Sequence, residues 1–101
     1  MPLTTHVSPQ DKTITISIDG HFDFRVHREF RQAYEQAPGP DTTYVIDLRG
    51  TEYIDSSALG MLLLLREYAG GERANVYITN CTPAVQKILT VDNFHRLFHI
   101  T

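Results

Sequence analysis

Three consecutive side chains could carry chemistry in this sequence: Asp55, Ser56 and Ser57 stand directly before a leucine-rich stretch at residues 61–65. All three residue types are favoured at the N-cap of a helix. A hydroxyl at that position lies among unpaired backbone N–H groups at the positive end of the helix dipole, where a phosphoryl group is tolerated. From the residues alone two interpretations remain open: Ser56 or Ser57 caps the helix, or one of them is a phosphorylation site.

Other chemistries have no matching motif. A serine hydrolase elbow, a phosphate-binding loop and a dinucleotide-binding glycine pattern are all absent from the sequence. The five histidines do not have the spacing of a metal site, so we expect no metal, no cofactor and no catalytic residue. These histidines are His6, His21, His27, His95 and His99.

Composition sets the size and environment that we expect. The 101 residues include 42% hydrophobic and 21% charged residues, and the net charge is −3. This predicts one soluble domain spanning residues 1–101, without the clustered positive charge that nucleic acid requires. Cys81 is the single cysteine, so no internal disulfide can form, and the N-terminus has no signal-peptide pattern. We therefore expect a cytoplasmic protein with no membrane insertion.

Hydrophobic periodicity predicts the strands that must position the serines. Ile14, Ile16 and Ile18 alternate with polar residues, which predicts a strand at residues 12–19, preceded by a hairpin partner at residues 3–7. Gly20 is expected to end this strand. The apolar run at residues 44–48 predicts a central strand covered on both faces, and residues 75–79 predict another. A short turn and a final edge strand are expected between residues 94 and 100.

Three helices are predicted between these strands. The first runs from Val26 and must end before Pro38. The second begins at the Asp55 to Ser57 triplet and ends near Ala69, and its apolar character predicts that it is the most buried helix. The third begins with Thr82 as its N-cap and Pro83 at its first position. The fold class is therefore α/β, with a mixed sheet of four to five strands and about three helices packed mainly on one face.

The chemistry-bearing triplet is part of a longer motif. The segment Asp-Ser-Ser-Ala-Leu-Gly at residues 55–60, preceded by Val-Ile-Asp-Leu, resembles the signature of the STAS domain family, the anti-sigma factor antagonists. Gly-His-Phe-Asp at residues 20–23 resembles the Gly-x-Leu-Asp turn of that family, and Thr-Pro-Ala-Val at residues 82–85 resembles its Ser-Pro-x-Val helix start. The resemblance covers about residues 12–100, in the same order.

The resemblance implies a partner-switching function. In the antagonists, the serine after the aspartate is phosphorylated by a serine kinase, and that position here is Ser56, with Ser57 as the second choice. The unphosphorylated form binds an anti-sigma factor or a similar regulator, the phosphorylated form does not, and a metal-dependent serine phosphatase restores binding. The expected docking surface comprises Asp23, Tyr53, Asp55, Ser56 and Ser57.

One alternative and two departures from the family pattern remain. Some STAS domains are subunits of membrane transport complexes or signalling scaffolds and are never phosphorylated. Ala58 stands where the family usually has glycine, which could alter the choice of kinase. Many relatives continue into a C-terminal helix, whereas this sequence ends at Thr101, so one face of the sheet is expected to be less covered.

Overall fold

Seven strands and three helices alternate in the computed structural model, which describes residues 3–101. Their order and bounds are β1 (Leu3–Ser8), β2 (Thr13–Ile18), β3 (Gly20–Phe22), α1 (His27–Tyr34), β4 (Thr43–Asp47), β5 (Thr51–Ile54), α2 (Ser56–Tyr68), β6 (Asn75–Thr79), α3 (Pro83–Val91) and β7 (His99–Ile100). Short 3-10 turns lie at Phe24–Val26, Gly71–Arg73 and Phe94–Arg96.

The main sheet has five strands in the order β1-β2-β4-β6-β7. Strand β1 is antiparallel to β2, and the other neighbours are parallel, because helical crossovers connect them. Ile16, Ile46 and Ile78 stand in register across the middle of the sheet and are fully buried. The predicted α/β class, mixed sheet, opening hairpin and final edge strand are confirmed.

Strand β4 is central, as predicted, but the prediction that both of its faces are covered is wrong. Tyr44 and Ile46 are buried, whereas Val45 and Asp47 on the opposite face are only half-buried. The buried rows of the sheet form the core with side chains of all three helices. The other face carries mainly threonines, serines and other polar side chains, and no residue from 3 to 101 forms a second hydrophobic layer there.

The helices follow the predicted pattern with shifted ends. A 3-10 turn occupies Phe24–Val26, so α1 begins at His27, and it ends at Tyr34, before Ala37 and Pro38. Helix α3 begins at Pro83 with the Thr82 hydroxyl accepting the Val85 N–H, as expected.

Helix α2 buries more side chains than the other two helices, in agreement with the prediction. It is not buried on all sides, however, because Leu63 and Leu64 are exposed. The helix ends at Tyr68, and Gly70 and Gly71 follow with φ angles of +122° and +64°. These angles suit glycine, which has no Cβ to clash.

A second, two-stranded sheet was not predicted. Strands β3 and β5 pair in parallel, although Gly20 was expected to end a strand and no strand was predicted at residues 51–54. The small sheet is joined to the large one at two points. The Gly20 N–H donates to the Gly50 carbonyl at 2.8 Å, and the buried Thr51 hydroxyl donates to the Ile18 carbonyl at 2.6 Å. Strands of three and four residues are too short to show a periodic pattern.

Candidate functional site

The two-stranded sheet brings two aspartates together at its carboxyl end. Phe22 and Ile54 are register partners on β3 and β5, and both are buried. The next residue on each strand is an aspartate, so Asp23 and Asp55 project from adjacent strand ends and repel each other electrostatically. The structure thus places the two aspartates that were predicted for the docking surface next to each other.

Each aspartate caps the helical turn that follows it. Asp23 Oδ1 accepts the Arg25 N–H at 3.0 Å, at the start of the 3-10 turn. Asp55 Oδ1 accepts the Ala58 N–H at 3.0 Å, at the start of α2. Asp55 has an extended backbone, with φ of −124° and ψ of −174°, as an N-cap residue requires. The prediction that Ser56 or Ser57 caps this helix is therefore wrong, because both already lie inside its first turn.

The two serines have different environments. The Ser57 hydroxyl is half-buried and donates to Asp55 Oδ1 at 2.6 Å. Ser56 is exposed as the first residue of α2, and its side chain makes no hydrogen bond with any residue from 3 to 101. Ser56 is thus the accessible hydroxyl of the pair, and Ser57 is a positioning partner of Asp55.

Both carboxylates are held in the ionised form. The Ser57 hydroxyl, followed by the Ala58 N–H, lowers the pKa of Asp55, because both hydrogen bonds favour the charged carboxylate. The side chain of Arg25 lowers the pKa of Asp23 through its bonds to both carboxylate oxygens, at 2.8 to 3.2 Å. Since this Arg25–Asp23 pair lies at the surface, it adds little stability and mainly sets the local charge. The contact between Arg25 and Asp23 was not predicted from the sequence.

Exposed aromatic side chains flank the two aspartates. Phe24, directly after Asp23, is 61% exposed, and Tyr53, two residues before Asp55, is 50% exposed. The Tyr53 ring lies 5.6 Å from that of His21, and the Phe24 ring lies 4.9 Å from that of His27. Of these aromatic side chains, Tyr53 was predicted for the docking surface from the sequence, whereas Phe24, His21 and His27 were not. For Phe24, the available signal was an aromatic residue directly after a capping aspartate.

An exposed strip runs along α2 from Ser56. Residues four and eight positions further on share the same helix face, and these are Gly60 and Leu64, with Leu63 beside them. A Cβ added to Gly60 would contact no atom within 4 Å. Leu64 also lines a groove of about 320 Å³ between α1 and α2, whose floor includes Phe30, Tyr34, Met61 and Tyr68. The accessible hydroxyl thus stands at the N-terminal end of a helix face that carries Gly60, Leu63 and Leu64.

Among residues 3–101, no group of three or more His, Cys, Asp or Glu side chains could hold a metal ion. None of the helices in the same range combines the length and hydrophobicity needed to cross a bilayer.

Several known proteins are similar to this chain in sequence or in the arrangement of their helices and strands. A family model described as "Mlab, STAS domain" matches residues 5–99. A STAS-domain containing protein of Pseudomonas aeruginosa is 50% identical over 101 residues, which is the full length of both chains. The anti-sigma factor antagonist SpoIIAA of Bacillus, in its unphosphorylated form, superimposes with a TM-score of 0.77 at 16% identity, covering 98% of this chain and 87% of the other.

The same fold also occurs in a protein of another description. A sulfate transporter family protein from Wolinella succinogenes superimposes with a TM-score of 0.69 at 15% identity, covering 93% of this chain and 80% of that one. At such low identity, the two structural likenesses establish a shared SpoIIAA-like fold. The family model and the 50% identical relative establish more than the fold: this chain belongs to the STAS domain family.

Proposed function

We propose that this protein is an anti-sigma factor antagonist, a partner switch that binds a regulatory protein when Ser56 is unmodified and releases it when Ser56 is phosphorylated. It works by binding and not by catalysis. Its partners are an anti-sigma factor or an equivalent regulator, a serine kinase, and a metal-dependent serine phosphatase.

The observation that carries the proposal is the environment of Ser56. Its hydroxyl is exposed and free of hydrogen bonds to residues 3–101, whereas the neighbouring Asp55 and Ser57 are occupied with each other and with the helix terminus. A kinase can therefore reach the Ser56 oxygen without breaking a cap. Asp55 acts as a structural acceptor here, since one of its carboxylate oxygens already receives two hydrogen bonds.

The charges around Ser56 explain how phosphorylation would release a partner. A phosphoryl group adds about 1.5 to 2 negative charges. It would arrive beside Asp23 and Asp55, which are ionised at neutral pH, and Arg25 is the cation already paired with Asp23. The dipole of α2 favours the phosphate, so the modified protein stays folded. A partner placed over this surface would have to desolvate the added dianion, which costs more than its remaining contacts supply.

The partner-binding surface combines apolar contact with this charged centre. Exposed Phe24 and Tyr53 stand on the two sides of the aspartates, and Leu63 and Leu64 extend the surface along α2. Aromatic and aliphatic side chains supply most of the binding energy in protein interfaces. Because Ser56 directly follows Asp55 and shares a face of α2 with Leu63, a phosphate on it would lie inside this contact area.

The test compares wild type with variants in which one serine is replaced, each isolated from the cells that naturally produce the protein. We expect the intact mass of wild type and of Ser57→Ala to show a phosphorylated fraction that a serine phosphatase removes, and we expect Ser56→Ala to lack that fraction. Ser56→Ala should retain the proteins that co-purify with unphosphorylated wild type, and Ser56→Asp should lose them, because the carboxylate imitates part of the phosphate charge.

Two results would contradict this function. A phosphorylated fraction that persists in Ser56→Ala would move the switch to another residue. Equal recovery of partners by wild type and Ser56→Asp, with no phosphorylation in any sample, would favour the second candidate.

That second candidate is an unphosphorylated STAS subunit of a membrane transport complex or scaffold. The likeness of this fold to a sulfate transporter family protein supports it. Under this alternative, the surface around Ser56 forms a permanent contact, so a transport ATPase would co-purify with wild type. In both cases Ser56→Ala should change the free energy of unfolding by less than about 0.5 kcal/mol, because Asp55 supplies the cap.

A further inference from the structure

Strand β1 forms an open edge of the five-stranded sheet. Within residues 3–101, its neighbouring strand is β2, and the two pair without a bulge from Leu3 to Ser8. In an antiparallel ladder, alternate residues of an edge strand direct their N–H and C=O groups away from the partner strand. β1 therefore presents a row of backbone donors and acceptors roughly 20 Å long.

This edge lacks the features by which proteins protect an open strand. Charged side chains, prolines, bulges and very short strands prevent edge-to-edge pairing. β1 contains no Asp, Glu, Lys, Arg or proline and no bulge, and it is rich in β-branched residues. The opposite edge differs, because β7 is only two residues long.

The sequence of β1 is self-complementary. Two copies placed side by side through antiparallel β1 strands are related by a two-fold axis perpendicular to the sheet, which keeps the helices of both copies on one side. Residues opposite each other must then point to the same face. A register centred on Thr5 meets this condition, placing Leu3 opposite Val7 of the second copy and Thr4 opposite His6 of the second copy.

This register also covers an exposed apolar side chain. Leu3 and Val7 pair with buried Ile18 and Ile14 of β2, so both lie on the helix-facing side of the sheet, yet Val7 is 42% exposed. In the paired arrangement, each Val7 contacts a Leu3 of the other copy. The two Thr5 side chains meet at the axis, where threonine pairs form favourable cross-strand contacts. Neither strand carries an Asp, Glu, Lys or Arg side chain that would oppose the approach.

We propose that β1 is a dimerisation edge, through which two copies of this chain form one continuous sheet centred on Thr5. In each copy, Asp23, Asp55 and Ser56 lie outside β1. The dimer therefore does not depend on the proposed switch.

The first experiment measures the mass in solution of the full chain as a function of concentration. We expect wild type to approach twice the chain mass of 11.5 kDa. Thr5→Lys should weaken the dimer on the order of tenfold to a hundredfold, because two lysines then face each other at the axis. Thr5 is exposed in the single chain, so the circular dichroism spectrum should not change. Gln86→Lys adds the same charge on an exposed position of α3 and should leave the dimer intact.

The second experiment tests the register by cysteine cross-linking in a Cys81→Ser background. Thr5→Cys places two thiols opposite each other across the axis, at a Cα separation that a disulfide accepts. Thr4→Cys is the matched control, because Thr4 faces His6 and not itself. We expect mild oxidation to cross-link the first variant and not the second.

Three outcomes would overturn the proposal. The first is a wild-type mass that stays at that of one chain up to about 1 mM, a concentration that detects even weak association. The second is a dimer that is equally stable in Thr5→Lys and in Gln86→Lys. The third is equal cross-linking of Thr4→Cys and Thr5→Cys.

Discussion

Asp55, Ser56 and Ser57 have three different roles, although each residue type is a good helix cap. Asp55 accepts the Ala58 N–H and the Ser57 hydroxyl, which leaves the Ser56 hydroxyl free at the surface. The aspartate outcompetes the serines for the cap position because β5 delivers it in an extended conformation, one residue before the helix begins. The division of roles is therefore a consequence of where the strand ends.

The lowered pKa of Asp55 predicts a specific pH dependence of stability. A carboxylate whose folded pKa lies below its unfolded pKa contributes stability above the unfolded value, near pH 4, and loses it as pH falls through the folded value. Asp55→Asn keeps a capping oxygen but cannot ionise. We expect the variant to be less stable than wild type at pH 7, with the difference shrinking steadily towards pH 3 in urea unfolding experiments.

Thr82→Asn is the control for this titration, because Thr82 caps α3 through a hydroxyl that does not ionise. Its difference from wild type should not change between pH 7 and pH 3. A gap between wild type and Asp55→Asn that stays constant from pH 7 to pH 3 would mean that the Asp55 carboxylate is not stabilised in the folded state.

At the scale of elements, Gly60 in α2 has no structural explanation within the chain. A glycine in a helix interior costs up to about 1 kcal/mol relative to alanine, yet a Cβ at this position would meet nothing within 4 Å. Gly60 lies one turn beyond Ser56 on the same face, so we interpret its missing side chain as space for the close approach of a partner.

Gly60→Ala should consequently separate stability from binding. We expect the variant to gain roughly 0.5 to 1 kcal/mol in the free energy of unfolding, measured in urea. We also expect it to recover less of the proteins that co-purify with unphosphorylated wild type. Gln86→Ala, on the exposed face of α3, should retain full binding. A lower free energy of unfolding for Gly60→Ala would mean that the glycine is required by the fold. Unchanged binding by Gly60→Ala would mean that the exposed face of α2 around Gly60 lies outside the interface.

On the scale of the whole molecule, a small junction joins the core to the site. The five-stranded sheet supplies one layer of the core, whereas β3 and β5 end directly before the aspartates. The two sheets meet where the buried Thr51 hydroxyl donates to the Ile18 carbonyl. A Cβ on the adjacent Gly50 would meet the carboxylate of Asp19, so any other residue here requires that exposed side chain to move.

Thr51→Val tests this junction because valine keeps the shape of threonine and removes the hydroxyl. The Ile18 carbonyl would lose a buried donor, so we expect a loss of about 1 to 3 kcal/mol in the free energy of unfolding. Thr15→Val, on the half-buried open face of β2, is the matched control and should stay within about 0.5 kcal/mol of wild type. Equal effects of the two substitutions would show that the junction bond contributes nothing specific.

Much of this protein could be predicted from its sequence alone. Alternating isoleucines at 14, 16 and 18, the Thr82-Pro83 helix start and the Gly70-Gly71 stop all specify local structure, because periodicity, capping and left-handed φ angles depend on nearby residues. The order of these elements and the motif around Ser56 were sufficient to indicate the family.

The tertiary structure alone decided how the site is assembled. Asp23 and Asp55 are 32 positions apart in the sequence, and they become neighbours through a two-stranded sheet too short to produce a periodic signal. Which residue caps α2 depends on the backbone angles at the end of β5, and the one-sided burial of β4 depends on where the helices pack. These are relations between distant segments, and local sequence patterns contain no information about them.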